Sequence, residues 1–154
     1  MNLVKSQIAV VPALALSLAA FGQERKIDRS DLPPAVEKTV EAQSHGATIK
    51  GFAAEVEHGK KTYEVEMVIN GRTRDIQIEP DGTVSETEDE VAFESLPANV
   101  QTGLTSKAAG AKITKVEALT KKGKLVAYEA PTLHGTKKGE IQVGPDGKPL
   151  AHEE

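Results

Sequence analysis

The chain writes nearly the same seven residues twice, IQIEPDG at 76–82 and IQVGPDG at 141–147. The match extends well beyond this heptapeptide. LPPAVEKTV from 32 lies over LPANVQTGL from 96, HGATIKGF from 45 over AGAKITKV from 109, and HGKKTYE from 58 over KGKLVAYE from 122 with one residue inserted. NG at 70 then falls on HG at 134. An ordered series at an offset of 64 to 65 residues is an internal repeat. It confines the fold to what two copies of one short unit can build.

Each copy opens with a helical pattern. Leu32, Val36 and Val40 recur at i, i+4 and i+8, as do Leu96, Val100 and Leu104, so each set lines one helix face. Pro33 and Pro97 fall in the first turn, Asp31 and Ser95 are placed to cap it, and Gly46 and Gly110 end the helices. The period then changes to two, with strands expected at 47–56, 62–69 and 72–79. His58-Gly59 and Asn70-Gly71 separate them as tight hairpins. Tyr63, Val65 and Met67 alternate with Thr62, Glu64 and Glu66, which gives one apolar and one wet face. Ile49 and Phe52 have opposite parity, as do Ile113 and Val116, so a bulge or bend is expected there in both copies.

Ile76 and Ile78, with Ile141 and Val143, read as the inward pair of the third strand. Pro-Asp-Gly is the turn that follows: Pro presets φ, Asp bonds back to the backbone, and Gly accepts positive φ. A short fourth strand is expected at 83–86 and again at 148–151. The expected class is therefore α+β, a tandem repeat of a helix followed by a three- to four-stranded antiparallel sheet, with the helices packed on one sheet face. The repeats would occupy 32–95 and 96–154, after an N-terminal leader at 23–31.

Residues 1–22 carry Lys5, an apolar run from Ile8 to Phe21, and small residues at Ala20 and Gly22, which is the pattern of a secretory signal peptide. The run is short for a membrane span and contains Pro12. With no Cys, the mature chain has neither a lipid-anchor site nor disulfides. No stable membrane insertion is expected after cleavage, and the protein is read as exported, periplasmic or extracellular. From Gln23 to Ser95 nine Lys/Arg face seventeen Asp/Glu, net −8, whereas from Leu96 to Glu154 nine face six, net +3. An acidic mature chain whose aromatics are Phe52, Tyr63, Phe93 and Tyr128 lacks the basic footprint and stacking platforms of a nucleic-acid binder.

Candidate chemistry is sparse. Gln77, Glu79, Asp81, Gly82 and Glu88 fall on calcium-loop positions, but Gln stands where the loop wants Asp and a strand enters it, so a plain turn is expected. His45, His58, His134 and His152 form no ligand pair. The acidic run Glu86, Glu88, Asp89 and Glu90 and the lysines Lys121, Lys122, Lys124, Lys137 and Lys138 read as solvated faces, with mutual attraction between the two copies as another option. No G-x-S-x-G, catalytic Cys or phosphate-binding glycine pattern is present. Glu64 and Glu66 share the wet strand face, and carboxylates converging in a buried cleft would be the sign of an enzyme. No catalytic, cofactor-binding or metal-ligating residue is assigned, no cofactor is implied, and no enzyme is expected.

An exported chain with LP-x-x-V helices, a YE-containing hairpin and a strand ending in PDG resembles the PepSY-like family, in its β-lactamase-inhibitor-like branch. Leu32-Pro33, Val36, Gly59, Tyr63-Glu64, Val65, Gly71, Ile76, Ile78 and Asp81-Gly82 carry the resemblance in the first copy. Leu96-Pro97, Val100, Gly123, Tyr128-Glu129, Gly135, Ile141, Val143 and Asp146-Gly147 carry it in the second, which departs at Pro131, a residue expected to weaken its middle strand or place it on an edge. The resemblance implies a non-enzymatic binding module with a protein or peptide partner, in a family associated with restraint of secreted peptidases. The alternative is an envelope carrier or sensor of a small ligand or metal ion, which an apolar cleft between the copies would favour.

Overall fold

The computed structural model describes residues 24–57 and 59–154; the expected signal peptide at 1–22 and His58 lie outside the described residues. In chain order the elements are β1 (Arg25–Lys26), α1 (Pro34–Gln43), β2 (Thr48–Glu57), β3 (Lys60–Ile69), β4 (Arg72–Ile78), β5 (Val84–Glu90), α2 (Ala98–Ala108), β6 (Lys112–Ile113), β7 (Glu117–Lys121), β8 (Lys124–His134) and β9 (Lys137–Val143).

The expected class is overturned. Instead of two units, each a helix with its own three- or four-stranded sheet, the strands of both halves form one nine-stranded antiparallel sheet, with two α-helices, among the described residues. The reason lies at the junction. β5 runs for seven residues rather than four and pairs with β7 from Glu86↔Lys121 to Glu90↔Glu117, so the first half has no free edge there. Val91 N–H to Val116 O (2.9 Å) and Lys122 N–H to Ser85 O (2.9 Å) extend the seam at both ends. No strand forms at 148–151, so the two halves are unequal.

The strand alternation nonetheless builds the core. Val36 and Val40 of α1 are fully buried against Val65, Met67, Ile76 and Ile78, while Val100 and Leu104 of α2 are fully buried against Ala130, Ile141 and Val143. Asn70 (φ 52°) and Gly71 (φ 80°) take the paired left-handed conformations of a tight hairpin, as do Lys122 and Gly123. The register slips between Ile49 and Gly51, and the strand equivalent to β2 breaks between β6 and β7, so each half bends where parity changed. That break explains Pro131, which lies inside β8, the longest strand, and not on an edge. Its neighbour strand is interrupted beside it, and Thr114 bonds the Pro131 carbonyl through both N–H and Oγ1 at 3.0 Å.

Asp31 and Ser95 do not cap the helices. Pro33 and Pro97 hold the N-cap positions, and each is preceded by a 3-10 turn, Arg29–Asp31 or Phe93–Ser95. Asp31 instead accepts from the Asp28 N–H (3.1 Å), and Ser95 donates to the Ala92 carbonyl (2.7 Å). The two PDG turns dock on the helices. Asp81 accepts from Thr83 N–H and Asp146 from Lys148 N–H; Thr39 Oγ1 donates to the Gly82 carbonyl (2.6 Å), and Asn99 Nδ2 to the Asp146 carbonyl (2.8 Å). A Cβ at Gly147 would overlap the Asn99 carbonyl, and one at Gly103 would overlap the Gly147 carbonyl, so backbone meets backbone there.

Candidate functional site

Both helices lie on one side of the sheet, and antiparallel register fixes what the other side displays. Three cross-strand rows cross its centre: Glu64, Gln77, Glu86 and Lys121; Glu66, Asp75, Glu88 and Leu119; and Glu90, Glu117, Glu129 and Gln142. The middle row sets three carboxylates directly opposite one another on β3, β4 and β5. Such like-charge pairs are destabilising.

A helix-free sheet face would ordinarily be wet, but Glu117 is 3% exposed, Gln142 4% and Glu129 6%. Gln142 Nε2 donates to Glu129 Oε2 at 2.6 Å. One carboxylate oxygen from each of Asp75, Glu88 and Glu117 lies within 4.8 Å of the others. Lys115 reaches this centre from the break before β7, with Nζ 2.6 Å from Glu117 Oε1 and 3.3 Å from Thr73 Oγ1. Thr73 in turn donates to Glu90 Oε2 through N–H (2.9 Å) and Oγ1 (3.0 Å). Asp75 Oδ1 is shielded from solvent and accepts no hydrogen bond.

Burial controls the charge state. It pushes the Glu88 carboxyl up to about 9, and Glu129, Glu117, Glu86 and Asp75 push the same way. Glu64 rises to about 7 through burial and Asp75, Asp75 to about 6 through burial, Glu117 and Glu66, and Glu140 to about 8 through burial and Glu129. Glu117 is raised by burial, which outweighs the opposing effect of Lys115. Burial alone would lower Lys115, but Glu117, Asp75 and Glu90 hold it above the ordinary lysine value. The face thus holds protons at neutral pH and carries a built-in ammonium.

Sequence reasoning placed Glu64 and Glu66 on one strand face and read Glu86, Glu88 and Glu90 as part of one acidic run, but it did not join the two groups, and it missed Asp75, Lys115, Glu117 and Glu129 as their neighbours. The acidic run is not a solvated edge: it forms β5, in the middle of the sheet, with Asp89 turned to the helix side against Arg74 (3.1 Å). Attraction between the halves is present at the seam, where Lys121 lies 3.6 Å from Glu86. The calcium-loop positions do not gather, since Gln77 lies in β4, Asp81 is used by its own turn, and Glu88 lies in β5. His45, His134 and His152 are exposed.

A cleft of about 420 Å³ at the β3–β4 hairpin and the end of β5 is lined by Ile69, Asn70, Arg72, Thr73, Arg74, Asp89 and Glu90, and another of about 340 Å³ lies beside α2 at Phe93, Thr105 and Ile113. The 420 Å³ cleft holds the Arg74–Asp89 pair beside Ile69, and all its lining residues come from the first half, so it is not a cleft between the copies. Neither cleft is lined by Asp75, Glu88 or Glu117. The Asp75, Glu88 and Glu117 carboxylates gather on the sheet face away from the helices.

No protein-family model and no curated protein sequence matches the chain. Solved structures do. A BLIP-like protein from Bacteroides fragilis shares 21% identity over 79% of this chain and 86% of its own, with a TM-score of 0.57. A DUF2874 family protein from Bacteroides ovatus gives 19%, 78%, 86% and 0.59 in the same terms. The chain has a BLIP-like fold. A Bacteroides eggerthii protein provisionally assigned to the periplasm also matches, at 16% identity over 76% of this chain and 84% of its own, with a TM-score of 0.61. Among the described residues no helix is long and apolar enough to cross a membrane.

Proposed function

We propose that this chain is an exported, periplasmic, non-enzymatic binding protein that presents the helix-free sheet face to a protein partner and restrains or regulates a secreted peptidase or other enzyme. Export rests on the signal pattern at 1–22 and agrees with the periplasmic assignment of a similar structure. The PepSY-like motifs and the BLIP-like fold support a binding role. The observation that carries the reading is the middle row, where Glu66, Asp75 and Glu88 stand opposite one another on the sheet face away from the helices. A face selected for stability or solubility alone would intersperse the two signs.

Small-ligand carriage has less support because the 420 Å³ cleft lies within the first half, not between the copies, and holds the Arg74–Asp89 ion pair. A metal carrier would use Asp75, Glu88 and Glu117, but Lys115 already occupies one Glu117 oxygen. The test is capture from a native periplasmic extract by wild-type protein, by Glu66→Lys on the open face and by Glu41→Lys on exposed helix surface. The expected outcome is one partner retained by wild type and Glu41→Lys and lost with Glu66→Lys. Equal retention by all three would remove the face from the reading. Osmotic-shock fractionation that left the chain in the cytoplasm would remove the export.

A further inference from the structure

We propose that residues 151–154 form a strap that closes over the β7–β8 side of the helix-free face in the free chain and swings away when a partner docks. The proposal rests on the protein-binding reading above and adds its regulation.

The first argument is the path of the chain. After β9 the second PDG turn lies on the helix side, where Asn99 Nδ2 of α2 donates to the Asp146 carbonyl (2.8 Å). Glu153 is then found at the β9 edge. Lys107 reaches that edge from α2, donates Nζ to the Gln142 carbonyl (2.9 Å) and lies 3.8 Å from Glu153 Oε1. Glu154 is on the opposite face. Its N–H donates to Gln142 Oε1 (2.9 Å), and its Oε2 lies 3.7 Å from Lys121 Nζ. Gln142 stands on β9 and Lys121 on β7, with β8 paired between them, so a residue that touches both crosses β8. The segment wraps the edge strand from one side of the sheet to the other.

The second argument is what lies beneath the crossing. Leu119 of β7 and Ala127 of β8 are cross-strand partners on the helix-free face and continue the row of Glu66, Asp75 and Glu88. They are 2% and 0% exposed, although neither belongs to the cores under the helices. Gln142 joins the strap to the face, since its Nε2 donates to Glu129 Oε2. The strap thus sits on one end of the row that carries the binding reading.

The third argument is strength. All four side chains in the Lys107–Glu153 and Lys121–Glu154 pairs are at least 34% exposed, and ion pairs of this kind contribute little and are screened by salt. Lys121 is also shared, because Glu86 lies 3.6 Å from the same Nζ. No helix or strand includes 151–154. A strap held this lightly yields to a partner that makes its own contacts with Lys121 and Leu119.

The experiment compares the full chain, a chain lacking 151–154, and a Lys121→Cys/Glu154→Cys chain closed by a short bismaleimide, whose two thiols are unique because the sequence has no Cys. The first probe is a peptide spanning Lys148 to Glu154, titrated into isotope-labelled protein and followed by amide NMR. A tethered strap has an effective concentration of order millimolar, so the peptide should bind the shortened chain with a dissociation constant of about 1 mM or below. The Gln142 side-chain amide and Ala127 should shift; the full chain should respond about tenfold less, since its own strap competes, and the Glu153→Gln/Glu154→Gln peptide should bind more weakly. Equal binding to both chains, or none at about 10 mM peptide, would overturn the strap. The second probe is the native periplasmic extract at limiting bait. Retention of the partner should rise about threefold or more on the shortened chain, because apparent affinity scales with the open fraction, and should be lost on the closed chain but not on its unlinked form. Equal retention by full, shortened and closed chains, with Glu66→Lys still abolishing capture, would overturn the strap alone; retention insensitive to Glu66→Lys as well would remove both readings.

Discussion

Replacing Glu88 by Gln should stabilise this protein, and more so as pH rises. In the folded chain burial holds the carboxyl protonated up to about 9, whereas in the unfolded chain it ionises near 4.5, the ordinary glutamate value. A carboxyl whose folded value is raised contributes stability that is fully present below the unfolded value and is lost as pH climbs towards the folded one. Within that window each pH unit costs about 1.4 kcal/mol, so the loss between pH 5 and pH 8 has a ceiling of roughly 4 kcal/mol. Glu88 is only half-buried and titrates among Asp75, Glu117 and Glu129, so solvent screening and relaxation reduce the expected effect to about 1–2 kcal/mol. Gln keeps the shape and does not ionise in either state. Urea unfolding followed by far-UV circular dichroism should therefore show Glu88→Gln level with wild type at pH 5 and about 1 M higher in midpoint at pH 8. Glu64, Asp75 and Glu140 act with the same sign, so wild type itself should be more stable at pH 5 than at pH 8. A variant no more stable than wild type at pH 8 would refute the reasoning, because Glu88 would then be ionised and hydrated like any surface glutamate.

Lys115→Met should destabilise the chain by about 3 kcal/mol at pH 8, because it leaves the buried Glu117 carboxylate without its ammonium. The loss should shrink at pH 5 as Glu117 protonates, and Glu117→Gln in the same background should restore most of it in urea titrations. Gly103→Ala should lower the melting temperature despite the better helix propensity of Ala, since the new methyl meets the Gly147 carbonyl and overpacking of this kind costs about 1–3 kcal/mol. Met67→Ala removes a fully buried side chain beneath α1 and should cost about 2–5 kcal/mol in the same assay, with little dependence on pH.

What the sequence displayed was local. Val36 and Val40 mark the buried helix face, Tyr63, Val65 and Met67 the buried strand face, and Asn70-Gly71 the hairpin, because each pattern is set by a period or a backbone conformation within a few residues. The same holds for Pro-Asp-Gly, although its docking on the helix, which makes Gly147 and Gly103 sterically necessary, involves a partner more than 40 residues away. The seam was illegible for a physical reason. α1 packs on the strands of the first core and α2 on β8 and β9, so β5 lies between the two hydrophobic clusters and belongs to neither. Thr87 and Asp89 on its helix side are polar even though Thr87 stands opposite the buried Ile76, and Glu86, Glu88 and Glu90 face the other side. A strand polar on both faces carries no alternation, and VSETEDE reads as a charged loop. The candidate site depends on that strand, which is why its carboxylates could be read as a strand pair and an acidic run but not assembled into one cluster.

Composition alone would let the acidic half and the basic half neutralise each other, yet the fold keeps most of their charges apart. Of the second half's lysines, Lys121 meets Glu86 and Lys115 meets Glu117, whereas Lys122, Lys124, Lys137 and Lys138 are exposed at hairpin tips. None of these four stands opposite Glu66, Asp75 or Glu88. A single Glu→Lys exchange in the middle row would relieve like-charge opposition across β3, β4 and β5, so the repulsion is not forced by the backbone. Burial and the neighbouring carboxylates instead hold Glu88 protonated near neutral pH, so the row avoids most of that repulsion by keeping a proton, and the cost returns as lost stability when the pH rises and the carboxyl must ionise.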